Sequence, residues 1–188
     1  MQKLPGTLIP VERPDPVYTG SLLDTLFAGG GLVLSQVTAY IGAEGYSVQN
    51  WVKRGFVSAP VAKRYTKRQF CRLAIINMLK DSIPISEITW MLSYINGDLS
   101  DESDDIVGDD ALYLYFVSML QALRTDDEAE VKSAALRATA NYKEPIPGGA
   151  EKVREVLTIM YYAYRSAELS RRAAEKINIC KLPAKPDQ

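Results

Sequence analysis

The sequence predicts a mainly α-helical protein: a winged helix–turn–helix domain followed by a C-terminal helical region. Three observations predict it. Between residues 33 and 96, short helical patterns alternate with glycines and with residues that cap helix starts. Beyond residue 110, apolar residues recur at three-to-four spacing, the period of an amphipathic helix. Positive charge is concentrated in the first of these regions and nowhere else.

Residues 1–17 carry Pro5, Pro10, Pro14 and Pro16 and read as an extended arm. Residues 18–28, with Leu22, Leu23, Leu26 and Phe27 on one stripe, read as a short helix that Gly29-Gly30-Gly31 ends. Ser35 is positioned to cap a helix over 36–42, and Gly42 and Gly45 bracket a turn. Ser47 is positioned to cap a second helix over 48–54, which Gly55 stops. An extended stretch over 56–65 follows and reads as a hairpin wing. Thr66 is expected to cap a third helix over 67–82, and Pro84 precedes a fourth over 85–95. The domain therefore spans 18–97, with the short first helix included.

Residues 98–110 form an acidic connector containing Asp98, Asp101, Glu102, Asp104, Asp105, Asp109 and Asp110. Its spacing does not match a calcium loop, so it reads as a solvated linker with helix-capping residues. Shielding of the basic face is a further reading that rests on opposite charge alone. Residues 111–188 form the C-terminal region. Helices are expected near 112–123, 127–141 and 150–179, with a break at Pro145 to Gly149.

Bulk properties exclude several classes. The 188 residues are 47% hydrophobic and 24% charged, as in an ordinary globular chain. No window is apolar enough to span a membrane, and no apolar stretch follows the first residues as in a secretory leader. A cytoplasmic location is the expectation. The two cysteines, Cys71 and Cys180, lie in no paired motif and read as free thiols. There is no histidine, which removes the commonest general base and metal ligand. No nucleophile elbow, phosphate loop or dinucleotide fingerprint is present. The chain does not read as an enzyme, and no cofactor or metal is expected.

The whole chain has a net charge of −1, yet the residues from Gly45 to Lys80 include eight cations and no acid. These are Lys53, Arg54, Lys63, Arg64, Lys67, Arg68, Arg72 and Lys80. Local field, not total charge, governs attraction to a polyanion. In the 48–54 helix, Val48, Trp51 and Val52 share the face that should bury. Gln49, Asn50, Lys53 and Arg54 share the other. Two amides and two cations can pair with base edges in the major groove, although the amides also suit a plain surface or cap. Ser47 leads this helix. Lys63, Arg64 and Tyr65 lie at the wing exit, and Lys67, Arg68 and Arg72 follow on the next helix. With no acid nearby in sequence, phosphate oxygens are the expected partners of these cations. The candidate DNA-binding set is therefore Ser47, Gln49, Asn50, Lys53, Arg54, Lys63, Arg64, Tyr65, Lys67, Arg68 and Arg72.

Ser47-Val48-Gln49, Lys53-Arg54-Gly55-Phe56, Arg64-Tyr65-Thr66 and Ile85-Ser86-Glu87-Ile88 together resemble the MerR family over about residues 34–95. In that family a short recognition helix ends in a glycine, a wing follows, and an arginine or aromatic residue leads into the next helix. The resemblance implies a transcriptional regulator that binds double-stranded DNA as a homodimer. It departs from the family where the acidic connector replaces a directly following dimerisation helix, and where only Cys180 stands near the C-terminus. A closer similarity is to a bacterial family known as domain of unknown function 1836. Gly30-Gly31-Leu32, Leu34-Ser35-Gln36-Val37, Gln49-Asn50-Trp51-Val52-Lys53-Arg54-Gly55, Ile76-Asn77-Met78-Leu79 and Tyr94-Ile95-Asn96-Gly97 carry it. So do Asp98 to Asp110 and Tyr113, the whole running over about 18–120. That family brings no biochemical role.

The expected function is thus a sequence-specific DNA-binding regulator. A protein-interaction module reusing the winged fold and an accessory factor for recombination are the alternatives. In the last helix, Val153, Leu157, Met160, Tyr164, Ala167, Arg171 and Ala174 fall at alternating four-and-three spacing, the seam of a helix pair. An intramolecular bundle and a homodimer interface both satisfy it. Tyr113, Tyr115, Phe116, Tyr161, Tyr162 and Tyr164 are expected to pack these helices; the alternative is a pocket there for a small-molecule or protein effector.

Overall fold

The computed structural model describes residues 2–97, 99 and 101–181. Asp98, which belongs to the acidic connector, lies outside them. The protein is mainly helical. In chain order the elements are β1 (Gln2–Lys3), β2 (Pro10–Val11), α1 (Pro16–Phe27), β3 (Leu32–Val33), α2 (Leu34–Ile41), α3 (Gly45–Lys53), β4 (Arg64–Tyr65), α4 (Lys67–Leu79), α5 (Ile85–Asn96), a 3-10 turn (Glu102–Asp104), α6 (Asp109–Ala122), α7 (Glu128–Ala138) and α8 (Gly149–Lys181).

Helix α4 is the axis of the fold. It packs against α1, α2, α5, α6 and α8. Every residue from Gln69 to Ile76 is buried, so nearly the whole circumference must be apolar, and Phe70, Leu73, Ile75, Ile76 and Leu79 meet that demand. Thr66 caps it as expected. The Thr66 Oγ1 accepts from the Gln69 backbone N–H at 3.2 Å, and the Gln69 Oε1 accepts from the Thr66 N–H at 2.9 Å. The Gln69 amide also donates to the Ser58 and Ala59 carbonyls, both at 3.0 Å, tying the 56–60 stretch to the axis.

The other two serine caps are not realised. The residue before α2 is Val33 and the residue before α3 is Glu44, so Ser35 and Ser47 sit inside the first turns. β3 pairs with β4 and fixes Val33 in an extended conformation, which starts α2 one residue before Ser35.

The N-terminal residues are not an extended arm. β1 and β2 form a short antiparallel hairpin whose Leu4, Ile9 and Val11 are buried. The Tyr113 hydroxyl donates to the Pro5 carbonyl at 2.7 Å, and the Asn77 amide donates to the Gly6 and Ile41 carbonyls, both at 3.0 Å. At Gly6, φ is +70° and a Cβ would lie 2.0 Å from the Ala74 carbonyl oxygen, so only glycine fits. Prolines suit such edge strands because few ladder donors are needed there.

The wing also differs from expectation. The 56–60 stretch is no strand. β4 pairs instead with β3, thirty residues upstream, in the register Leu32↔Tyr65 and Val33↔Arg64. A tight turn, Val61 to Arg64, precedes it, with Ala62 and Lys63 at φ +49° and +62°. Two successive left-handed residues make the sharp reversal a two-residue turn needs.

Behind α4, helices α6, α7 and α8 pack together. Val153, Leu157 and Met160 of the last helix are buried in this bundle, whereas Arg171 and Ala174 are exposed. The seam read from the sequence therefore serves packing within the chain as far as Tyr164 and then leaves it. Five of the six aromatics pack as expected, whereas Tyr162 is exposed. Phe116 meets Tyr164 edge-on at 5.7 Å between ring centres, and Tyr115 meets Tyr142 at 5.9 Å.

Candidate nucleic-acid interface

Helices α2 and α3 are joined by the three residues Gly42 to Glu44. Gly42 closes α2 in the left-handed conformation at φ +75°. Helix α3 is anchored by Val48 and Trp51, both buried, with Val52 half-buried beside them. These three residues orient the opposite face outward, and there Gln49, Asn50, Lys53 and Arg54 are all exposed. Ser47 is half-buried at the edge of that face. The Arg54 guanidinium carbon lies 4.7 Å from the Phe56 ring centre, a contact that stiffens the side chain without neutralising it.

Lys63 is exposed at the tip of the Val61 to Arg64 turn. The Arg64 Nη1 donates to the Gly31 carbonyl at 2.9 Å, which holds this exposed side chain along the β3–β4 pair. Among the described residues, no ion pair involves Lys53, Arg54, Lys63 or Arg64.

The remaining sequence-predicted contacts behave differently. Tyr65 is 3% exposed and belongs to the core; its burial also pushes the phenol above the usual tyrosine range. Lys67 Nζ lies 2.8 Å from an Asp24 carboxylate oxygen and 3.6 Å from one of Asp110. Arg68 is ion-paired with Asp105 and lies 3.7 Å from Asp109. Arg72 is 2% exposed. Its Nε donates to the Phe56 carbonyl at 2.8 Å and its Nη1 donates to the Asp109 carboxylate at 3.1 and 3.3 Å. Phosphate cannot reach Arg72. The Asn96 amide adds a donor to Asp109 at 3.1 Å. Burial holds the Asp109 carboxyl above the usual carboxylate range, an effect that the Arg72 and Arg68 guanidinium groups beside it offset only in part.

The acidic connector is thus no solvated linker. Ile106 and Val107 are buried, Asp109 and Asp110 form the first turn of α6, and Asp105 and Asp109 clamp the side of α4. Carboxylates in a first turn also suit the positive helix end. A signal for the clamp was present in the sequence: Arg68 and Arg72 are four apart, and so are Asp105 and Asp109. The two cations share one face of α4, although Asp105 sits in the loop before α6 and only Asp109 is helical, so the equal spacing alone does not fix the pairing.

One exposed residue of the α3 face escaped the sequence reading. Tyr46 is 73% exposed and continues the stripe of Gln49, Asn50 and Lys53 by one turn. It was hidden because a helix started at Ser47 leaves Tyr46 outside it.

Residues 31–116 match the family model of the domain of unknown function DUF1836. The matched stretch lies within the 18–120 segment that resembles that family. It runs from the start of the β3–β4 pair to the middle of α6, so the matched stretch includes both the outward face of α3 and the carboxylate clamp on α4. No curated protein and no solved structure matches the chain. No described helix is long and apolar enough to cross a membrane. Among the described residues, no cluster of His, Cys, Asp or Glu is arranged to hold a metal ion.

Proposed function

We propose that the protein is a sequence-specific DNA-binding regulator that reads the major groove with α3 and grips phosphates with the turn before β4. The observation that carries this reading is the division of the basic residues. Lys67, Arg68, Arg72 and Lys80 are each paired with a carboxylate. Lys53, Arg54, Lys63 and Arg64 are exposed and pair with no described acid, and Lys53 and Arg54 adjoin the Gln49 and Asn50 amides along α3. Cations left unpaired beside exposed amides are what phosphate positioning and base readout require together. The two short helices, the glycine turn and the β3–β4 pair support a winged helix–turn–helix, MerR-like reading of this region. The contact set under this proposal is Tyr46, Ser47, Gln49, Asn50, Lys53, Arg54, Lys63 and Arg64, with Lys67, Arg68, Arg72 and Tyr65 removed to structural roles.

The test is selection of bound duplexes from sheared genomic DNA. Wild type should recover a shared motif, and Lys53→Ala/Arg54→Ala should not. Binding that is absent even at low salt, where electrostatic association is strongest, would overturn the proposal.

A further inference from the structure

Helix α5 carries two stripes with opposite fates. Ile88, Met91, Leu92 and Ile95 are buried and hold it to the core. Glu87, Trp90 and Tyr94, at three-and-four spacing, are all exposed, Trp90 to 64%. The surface beside them belongs to α8. The Ser82 hydroxyl, ahead of α5, donates to the Ala163 carbonyl at 2.6 Å, and the Tyr94 hydroxyl, near the far end of α5, donates to Glu155 at 3.4 Å. The two helices therefore run antiparallel, and Trp90 lies level with Ile159, which is also exposed. Ile159 continues the stripe of Lys152 and Glu155 on α8, distinct from the buried Val153, Leu157 and Met160.

Trp90 is ordered before any partner arrives. Its ring stacks on Tyr94 at 5.7 Å between centres and 14° between planes. Tyr94 is fixed in turn by its hydrogen bond to Glu155 and by Lys152, whose Nζ lies 4.9 Å from the ring centre. Covering a side chain that is already held loses little conformational entropy, and tryptophan and tyrosine dominate the energetics of protein interfaces. Single exposed apolar residues are ordinary, whereas an aromatic pair continued by an isoleucine marks an interaction site.

The charges around the patch select the class of partner. Glu87 and Glu155 are exposed and form no ion pair among the described residues, and Lys152 is engaged by Tyr94. Carboxylates beside the aromatics repel phosphate, which disfavours a nucleic-acid strand or an anionic lipid surface. They would also meet their own like charges if the patch faced a second copy of itself. A basic protein surface is complementary. Glu87 lies one heptad before Tyr94, which touches Glu155, so the two carboxylates stand about 10 Å apart along α5 at the standard rise. We propose that this face binds an amphipathic helix of another protein. Its apolar side chains cover Trp90 and Ile159, and its lysines or arginines, one heptad apart, meet Glu87 and Glu155. The proposal goes beyond DNA binding and does not depend on it, because no residue of the α3 contact set takes part.

The test uses the full chain and a labelled synthetic helix with leucines at three-and-four spacing, flanked by lysines one heptad apart. Trp90 is its own reporter, since Trp51 is only 5% exposed. Saturable binding should shift the tryptophan emission to the blue. Trp90→Ala should weaken binding of the labelled helix, read by its anisotropy, on the order of thirtyfold while leaving the circular dichroism unchanged. Glu87→Lys/Glu155→Lys should lose the lysine helix and gain a counterpart helix that carries glutamates in the lysine positions. No binding of the lysine helix overturns the proposal. So does equal affinity of wild type for both helices, or an affinity that Trp90→Ala leaves unchanged. A single-stranded oligonucleotide, or a second copy of the chain, that binds wild type and is lost in Trp90→Ala would give the patch to that occupant and overturn the proposal as well.

Discussion

Lys53 and Arg54 at the end of α3, and Arg68 and Arg72 on α4, come from one stretch without acids, and each pair lies within four residues along the chain. Their surroundings are opposite. The first pair stands in solvent at the end of a helix whose other face is held by Val48 and Trp51. The second is covered by α6 and its preceding loop, whose Asp105 and Asp109 arrive from more than thirty residues away. Charge density along the chain therefore overstates the cations that stand exposed without an acidic partner among the described residues: four of the eight are paired with carboxylates. What decides a cation's role is the element that packs over it.

This comparison is most exposed to test at Arg72. Arg72→Ala leaves the Asp109 carboxylate buried with its best partner gone, and should cost about 3–5 kcal/mol of unfolding free energy. Joint replacement, Arg72→Met with Asp109→Leu, should recover most of it. Denaturant titration measures both. A loss under ~1 kcal/mol in the single variant would break the contrast, since Arg72 would then be no more structural than Lys53.

The next effect separates affinity from stability. Lys53→Ala/Arg54→Ala should leave unfolding free energy within about 0.5 kcal/mol of wild type, as expected for exposed surface positions. If both contact phosphate or base edges, the slope of log affinity against log salt should fall by up to about two. Arg68→Ala should do the reverse, lowering stability and leaving the slope unchanged. Fluorescence anisotropy across a salt series, beside denaturant melts, reads both quantities. A reduced slope for Arg68→Ala would return that residue to the DNA-binding set.

The smallest effect concerns Lys67, half-buried between the two regions. The hydrogen bond that its ammonium donates to Asp24 holds it above the usual lysine range. A raised lysine adds stability that is fully present below the unfolded value of about 10.4 and is lost as pH rises through the folded one. Subtracting the stability curve of Lys67→Met from that of wild type should give a difference that declines above about pH 10. A flat difference would mean that the Asp24 pair adds nothing in solution, as many exposed ion pairs do.

Much of the architecture was legible before the fold. Helix α4 announces itself through Thr66, Gln69 and an apolar run, because capping and burial are local demands. The buried face of α3 and the breaks at Gly42 and Gly55 are legible for the same reason. The N-terminal hairpin was not, because Leu4, Ile9 and Val11 are separated by prolines and turns and show no periodicity. The β3–β4 pair was not, because two-residue strands carry no pattern and their partners lie thirty residues apart.

By itself the sequence determined a helical protein with one cation-rich region, an exposed amide-and-cation face on α3 and a heptad-bearing last helix. Period and capping act over a few residues and can be read there. Only the tertiary structure decided which cations face solvent, that the acidic connector neutralises α4, and that α8 spends one stripe on the bundle and keeps another uncovered. Those outcomes depend on contacts between distant segments, and pairing across such distances leaves no mark on the residues nearby in the chain.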